Sequence, residues 1–423
     1  MKLQKTIERL QKLHPKEIDL SLDRVKNLCY KLGNPQDNIN CISIVGTNGK
    51  YSTIQALRSI LTEANISCNI YTSPHIQKIN ERFIFNNKEI KDDDLSDLLS
   101  EIEEINDNHP ITFFEILTAA FFYGAKKYLN NITLVEAGLF HRFDATNIIN
   151  KNLASIVTPI GLDHLNWLPK NEQTINKIIF EKTSCLLNSN IIISKQETND
   201  ILNKIKYSIR DNKSKKIIFN DKYTYLIKEN NFFYYEDEFG GLKLPYPNLL
   251  GQFQLTNIST AVATIRSLKL NVSDENIKKG ITKIKSIARL QEIKNGKLKD
   301  LVKNNKLFVD GTHNSLGAKV LADYLDTLNC KKHMILGMMA NKNHKNYLNC
   351  FKDKISSLTT IDIPNQKNSI EKNKLKNKLS SKGLKINSKP SIQDAISSIQ
   401  IKENEIILIT GSLYLAGEVL NLN

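Results

Sequence analysis

The chain has 423 residues, of which 40% are hydrophobic, and carries a formal charge of +15 at pH 7. That length accommodates two ordinary domains with real cores, and no apolar run approaches the ~20 residues that span a bilayer. Residues 1–14 also lack the apolar core and small-residue cleavage site of a signal peptide. Six cysteines without CxxC spacing exclude a disulfide framework or zinc site and suit a reducing cytoplasm. The lysines are scattered among Asn and Ile, so the charge favours small anions rather than marking a nucleic-acid or membrane surface.

A short amphipathic helix opens the chain, and a loop over residues 13–24 leads into a helix over 25–32. Residues 41–45 read as a buried strand, from which Gly46-Thr47-Asn48-Gly49-Lys50 turns into an apolar-periodic helix starting near Ser52. Glycines let backbone N–H groups crowd an anion, the helix N-terminus adds partial positive charge, and Lys50 reaches the outer phosphates. The loop is therefore a phosphate cradle. It is an imperfect Walker A loop, because Ile44 holds the first-glycine position and Tyr51 separates Lys50 from Ser52.

Residues 67–71 form a second strand ending in Thr72-Ser73-Pro74-His75. Pro74 disfavours helix at Ser73 and leaves polar side chains at a strand's carboxyl end, the ligand side of open α/β sheets. Asp92-Asp93-Asp94 read as the solvated start of a helix reaching about residue 105 rather than as a metal cluster. Residues 113–129 form an apolar helix, 132–135 a strand before Glu136, and 153–158 a strand closed by residues 159–164. The alternation continues through Phe219 and predicts a mainly parallel sheet with helices on both faces.

Residues 223–247 break the rhythm as an antiparallel hairpin excursion around Asn230-Asn231 and Gly240-Gly241, followed by helices over 254–268 and 273–284. The basic, turn-rich stretch 285–306 holds the domain boundary, giving domains 1–286 and 287–423. The second restarts a smaller α/β unit with strands over 306–309, 333–336, 358–363 and 405–409. It closes with Thr410-Gly411-Ser412-Leu413-Tyr414 entering a last helix.

Six separated pieces fit one pattern: HPKxIDLxLxR at His14 to Arg24, GTNGK at Gly46, TSPH with NERF at Thr72 to Phe83, Glu136 to the RFDATN ending at Asn147, GLDH with the later Phe180-Glu181-Lys182, and DGTHN at Asp310. Together with GQFQLTN at Gly251 and TGSLYLAGEV at Thr410, they make the chain resemble the folylpolyglutamate synthase/dihydrofolate synthase family of the Mur ligase superfamily. The resemblance implies an N-terminal P-loop-type ATPase domain, a smaller C-terminal Rossmann-like α/β domain, and a site between them. It implies a ligase that uses ATP and Mg²⁺ to turn a carboxylate into an acyl phosphate, which the amine of L-glutamate attacks. The substrates implied are 7,8-dihydropteroate and reduced folates, handled by a cytoplasmic monomer with no nucleic-acid or membrane partner.

On this resemblance Thr47, Asn48, Gly49 and Lys50 bind ATP, joined by Asn257, Arg289 and Asp310. Ser73, Glu136 and His164 hold magnesium; taken alone, Glu136 and His164 are equally well ordinary strand-end polar residues. Lys182 matches the family's carbamate-bearing lysine, and its plain alternative is an exposed helical lysine paired with Glu181. His313, Ser412 and Tyr414 orient the glutamate, against loop capping for Ser412 and core filling for Tyr414. Asp19, Leu20, Ser21 and Leu22, with Thr112, Phe114, Asp144 and Ala145, resemble the dihydropteroate pocket; an aromatic such as Phe114 offers a flat ring a stacking face.

The chain departs from the family where GLGGR becomes Gly138-Leu139-Phe140-His141-Arg142, where DKD becomes Asn341-Lys342-Asn343, and at Tyr51. Backbone close to a ligand often needs glycine, so pocket shape is less determined than reaction type. The rival readings are a folylpolyglutamate synthase without the first activity, a Mur-type peptide ligase, and a nucleotide-binding pseudoenzyme.

Overall fold

The structure, a computed structural model, describes residues 2–16, 19–228, 231–380 and 384–423. Ile18 of the first motif and Asn230 of the expected turn lie outside the described residues. The chain forms two compact units, one of Met1–Asn248 with Leu255–Ile284 and one of Leu249–Gln254 with Lys285–Asn423.

The first unit is built on β1 (Asn40–Val45), β2 (Cys68–Tyr71), β3 (Phe83–Phe85), β4 (Lys88–Glu89), β5 (Ile132–Glu136), β6 (Ala154–Val157), β7 (Asn190–Ile193) and β8 (Lys216–Ile218). They form one sheet in the order β4-β3-β2-β5-β1-β6-β7-β8. Every pairing is parallel except those of β3 with β2 and with β4. The central strands are runs of Ile, Val and Leu buried along their length, as a sheet covered on both faces requires. Helix Phe113–Ala125 supplies much of one cover: Phe121 stacks on Tyr71 with ring centroids 4.9 Å apart and on Phe85 at 5.5 Å. Helix Asp274–Thr282 lies so close to helix Lys50–Glu63 that a Cβ on Gly280 would stand 2.5 Å from Ile60 Cα.

The expected hairpin is a separate three-stranded antiparallel sheet, β9 (Tyr223–Ile227), β10 (Phe232–Asp237) and β11 (Gly240–Pro245), with β10 in the middle. Gly240 and Gly241 open β11 rather than standing outside it. The small strands β3 and β4 were not foreseen. Both are too short for alternation to register.

The second unit carries β12 (Gln291–Ile293), β13 (Lys306–Val309), β14 (Lys332–Leu336), β15 (Ser357–Thr360), β16 (Ile386–Ser388) and β17 (Ile406–Thr410), in the order β12-β13-β17-β14-β15-β16. All pair in parallel except β12, which runs antiparallel to β13. The edge strands β12 and β16 escaped the sequence reading because three residues with polar members, QEI and INS, carry no strand signal. The core beneath gathers Phe308, Met334, Leu336, Tyr347, Phe351 and Leu408. Among the described residues no helix is long and apolar enough to cross a membrane.

Candidate active site

The strand order β2-β5-β1-β6 sets four carboxyl ends side by side, one strand spacing of about 4.8 Å from the next. From them issue Ser73 after β2, Glu136 ending β5, the Gly46–Lys50 loop after β1, and His164 in the loop after β6. Residues remote in sequence thus meet on the ligand side of the sheet for a topological reason.

The loop is tighter than glycine content alone suggests. Gly46 has φ +146°, and a Cβ there would fall 2.0 Å from Thr158 Oγ1; Gly49 has φ +87°, and its Cβ would lie 2.6 Å from Asn257 Oδ1. Asn257, buried on helix Phe253–Ser267, is thereby placed against the loop. Thr158 had not been singled out, although the chain's need for a bare Cα at Gly46 is its doing. The amides of Thr47 and Asn48 donate to Pro159 O at 2.9 and 3.2 Å, and Thr47 Oγ1 donates to Gly161 O at 3.0 Å. Those two N–H groups therefore brace the loop. The anion-facing donors are the first-turn amides of helix Lys50–Glu63, whose N-cap Gly49 offers no side-chain cap. That helix begins at Lys50, two residues before the expected start, so Tyr51 belongs to its first turn.

Three charged groups converge behind the loop. Lys50 Nζ lies 3.3 Å from both Gly46 O and Thr47 O and 3.8 Å from Glu136 Oε1. Lys182, in the last turn of helix Ile175–Thr183, is buried and donates from Nζ to Gly46 O at 2.8 Å. Its alternative as an exposed lysine paired with Glu181 is overturned: Glu181 is held instead by Arg142 at 2.7 Å and Lys177 at 3.3 Å. Burial, and secondarily the Lys50 charge, push the Lys182 ammonium down to about 7. A lysine near that value is present at neutral pH in comparable amounts as the ammonium and as the uncharged, nucleophilic amine.

Ser73 N–H donates to Glu136 Oε2 at 3.2 Å, while Ser73 Oγ is buried without a hydrogen-bond partner. An orphaned hydroxyl beside a buried carboxylate fits an oxygen-coordinated cation, with His164 on the next strand end but one. His164 is half-buried at φ +58°, edge-on to the Phe140 ring at 6.2 Å. Among the described residues no group of three or more His, Cys, Asp or Glu forms a ready-made cage. Asp92, Asp93 and Asp94 are exposed at the start of helix Asp92–Asn106, as expected for a solvated helix start.

The expected pterin-side residues each make contacts within the first unit. Thr112 is the N-cap of helix Phe113–Ala125; its N–H donates to Glu115 Oε2 at 2.8 Å and its Oγ1 accepts from Glu115 N. Phe114 is half-buried, stacks on Tyr71 at 6.0 Å, and brings its Cζ to 2.8 Å from where a Cβ on Gly138 would stand. The Asp144 carboxylate accepts from Leu139 N at 2.7 Å and Thr146 N at 3.0 Å and is buried enough to raise its pKa. It braces the turn that carries Phe140 and His141, while Ala145 packs into the core. Asp19 is held by Lys16 at 3.2 Å and Arg24 at 3.0 Å, Leu20 is exposed, Ser21 accepts from Asp23 N, and Leu22 packs on the core. Sequence reasoning missed Arg24 and Glu115 as site residues. The signals existed, since Arg24 closes the first motif and Thr112-x-x-Glu115 is a capping-box pattern.

Phe140 is buried at φ +58°, the left-handed region a glycine enters freely, with Lys182 Nζ 5.7 Å from its ring. His141 is buried with Nδ1 unpartnered, and burial, then the Lys182 charge, lower its pKa to about 4. Phe140 therefore keeps a backbone that glycine enters freely, and both side chains are buried near Lys182.

In the second unit the carboxyl ends of β13 and β17 are neighbours. Buried Asp310 accepts from Leu290 N at 2.6 Å and Thr312 N at 2.8 Å, and burial raises its pKa, with Arg289 opposing. Arg289 Nη1 donates to Ala288 O at 3.1 Å and lies 3.3 Å from where a Cβ on Gly311 would be. His313 Nδ1 is 3.0 Å from Gly311 O. Ser412 caps helix Leu413–Leu422 by accepting from Tyr414 N at 3.1 Å. Tyr414 is 39% exposed, which removes its core-filling alternative.

A family model described as the C-terminal domain of dihydrofolate synthetase matches residues 294–422. The chain is 26% identical over 426 residues to the dihydrofolate synthase/folylpolyglutamate synthase of Bacillus subtilis, covering 94% of each chain. It is 28% identical over 337 residues to the protein of the same name in Escherichia coli, covering 79% of this chain and 75% of the relative. Among solved structures, E. coli FolC in complex with DHPP and ADP superposes with a TM-score of 0.88 at 25% identity, over 99% of this chain and 97% of the other.

Proposed function

We infer that this chain, a member of the dihydrofolate synthase/folylpolyglutamate synthase family, is an ATP-dependent ligase that joins L-glutamate to 7,8-dihydropteroate and extends reduced folates with further glutamates. The observation that carries the reading is the meeting of Ser73, Glu136 and Lys50 at adjacent strand ends with Lys182, which reaches the Gly46–Lys50 loop from helix Ile175–Thr183. A carboxylate is a poor acyl donor until ATP converts it to an acyl phosphate, and that transfer is mostly positioning and charge neutralisation. The first-turn amides of helix Lys50–Glu63 and the Lys50 ammonium supply donors and charge for the phosphates, and Asn257 packs against the loop that presents them.

Ser73, Glu136 and His164 are the residues that would hold magnesium, which when bound neutralises phosphate charge. Lys182, with a substantial uncharged fraction near neutrality, is chemically able to take up CO₂ as a carbamate, and this is the role proposed for it. Phe114 and the Asp19–Leu22 loop form the pterin side. In the second unit Arg289 offers forked donors for phosphate, Asp310 braces its loop, and His313, Ser412 and Tyr414 are assigned to glutamate. The cytoplasm is the compartment proposed, in keeping with cysteines that are all unpaired.

Ligase assays with dihydropteroate, tetrahydrofolate and UDP-linked peptide precursors in parallel test the reading. ADP release is expected with both pterins; release with the UDP-linked substrate alone would overturn it. ATP binding without ADP release under any acceptor would favour the pseudoenzyme.

A further inference from the structure

Arg24 ties the Asp19 loop to the helix bearing Phe114 through hydrogen bonds on both sides. Its Nε and Nη2 donate to the two oxygens of Glu115 at 3.0 and 2.9 Å. Its Nη1 donates to Asp19 Oδ2 at 3.0 Å, and Nη2 also reaches Asp19 O at 2.9 Å. Glu115 is itself buried, and its Oε2 accepts from Thr112 N at 2.8 Å, fixing the helix start one residue before the Phe113-Phe114 pair. One guanidinium therefore sets the spacing between the loop carrying exposed Leu20 and the helix turn carrying Phe114, whose ring reaches Gly138 and whose neighbour across Gly138 is Ser73.

We propose that Arg24, with Glu115, is the positioning residue that holds the two apolar walls of the acceptor pocket at the width of a flat bicyclic ring, and so sets affinity for the pterin without taking part in phosphoryl transfer. The proposal rests on the ligase reading above. Only a planar group with several fixed donors satisfies a buried carboxylate bidentately and a loop carboxylate and carbonyl together; a lysine ammonium, a point donor on a flexible stem, cannot. Neither oxygen of Glu115 nor the Asp19 carbonyl is left to meet substrate, so the effect on substrate passes through Leu20 and Phe114.

Steady-state kinetics with dihydropteroate varied, and separately with ATP varied, on Arg24→Lys, Arg24→Met and the double variant Arg24→Met/Glu115→Met test this. The double variant removes both members of the buried pair and so avoids leaving the Glu115 charge stranded. The expected result is a rise of about tenfold or more in KM for dihydropteroate in Arg24→Lys and in the double variant, with KM for ATP and kcat at saturating pterin within about threefold. Lowered thermal stability with an unchanged KM for dihydropteroate would overturn the proposal in favour of a purely structural pair, as would an equal rise in KM for ATP. Quenching of pterin fluorescence on wild-type protein separates the two levels. No binding there refutes the ligase reading itself and this inference with it, whereas binding with unaltered variants refutes the inference alone.

Discussion

Replacing Lys182 by Met tests the electrostatics at the heart of the site. Lys182 is buried, with a folded-state pKa of about 7 against the ordinary 10.5. A base whose pKa is depressed on folding binds fewer protons folded than unfolded between those two values. Stability then rises with pH across that window, by up to ~1.4 kcal/mol per pH unit. The full penalty, present below pH 7, is ~5 kcal/mol, and the part relieved between pH 7 and 9 is about 2 kcal/mol. Methionine has the same reach and no charge, so the difference in unfolding free energy between Lys182→Met and wild type should shrink by about 2 kcal/mol from pH 7 to pH 9. Trp167, the chain's one tryptophan, lies in the same unit and is partly exposed, so urea titration followed by its fluorescence reads that unit. Buffers free of CO₂ keep the amine unmodified. Parallel stability curves for the two proteins over pH 7 to 9 would show that Lys182 stays charged in the folded protein and refute the argument.

Glu136→Gln keeps the shape that accepts from Ser73 N but removes the charge 3.8 Å from Lys50, and should lower kcat by about a hundredfold or more while the protein still binds nucleotide. Unchanged kcat would remove Glu136 from the site. Gly49→Ala places a Cβ 2.6 Å from Asn257 Oδ1 at φ +87°, and nucleotide binding measured by calorimetry should weaken by about tenfold or more, with partial recovery in Gly49→Ala/Asn257→Ala. Recovery to wild-type affinity would show that the left-handed backbone itself carries no cost.

Much of the first unit is legible in its sequence because its parallel strands are short, mostly apolar and buried stretches bounded by polar residues. The chain from Cys41 through Lys50 states strand, turn and helix in succession. The strands that were missed are β3, β4, β12 and β16, all of two or three residues at or near sheet edges, where side-chain pattern has no room to repeat. What the sequence could not show was the use to which polar groups are put. Asp144 braces a turn and Thr112 caps a helix, uses that residue type alone does not reveal. Lys182 looks solvent-exposed because Glu181 precedes it, yet the helix turns the two residues to different partners. Both are buried, Glu181 against Arg142 and Lys177 and Lys182 against Gly46, and partners so remote in sequence are ones that local pattern cannot name.

The two large residues replacing family glycines give the last test. Phe140 takes φ +58°, at a cost of ~1 kcal/mol for a side chain in the left-handed region, and its ring lies 5.7 Å from Lys182 Nζ. Burial is the first cause of the lowered Lys182 pKa, and the buried Phe140 ring is one apolar group near the amine. Phe140→Gly relieves the backbone but admits water beside the amine, so the Lys182 pKa should climb back toward its ordinary value and the window of rising stability should narrow from its lower edge. Between pH 7 and 9 the stability of Phe140→Gly would then rise less steeply than that of wild type by part of the ~1.4 kcal/mol per pH unit that full neutralisation gives. An unchanged slope would mean that Lys182 is dried by its own helix and by Gly46, and that the phenyl ring is only filling space left by the glycine.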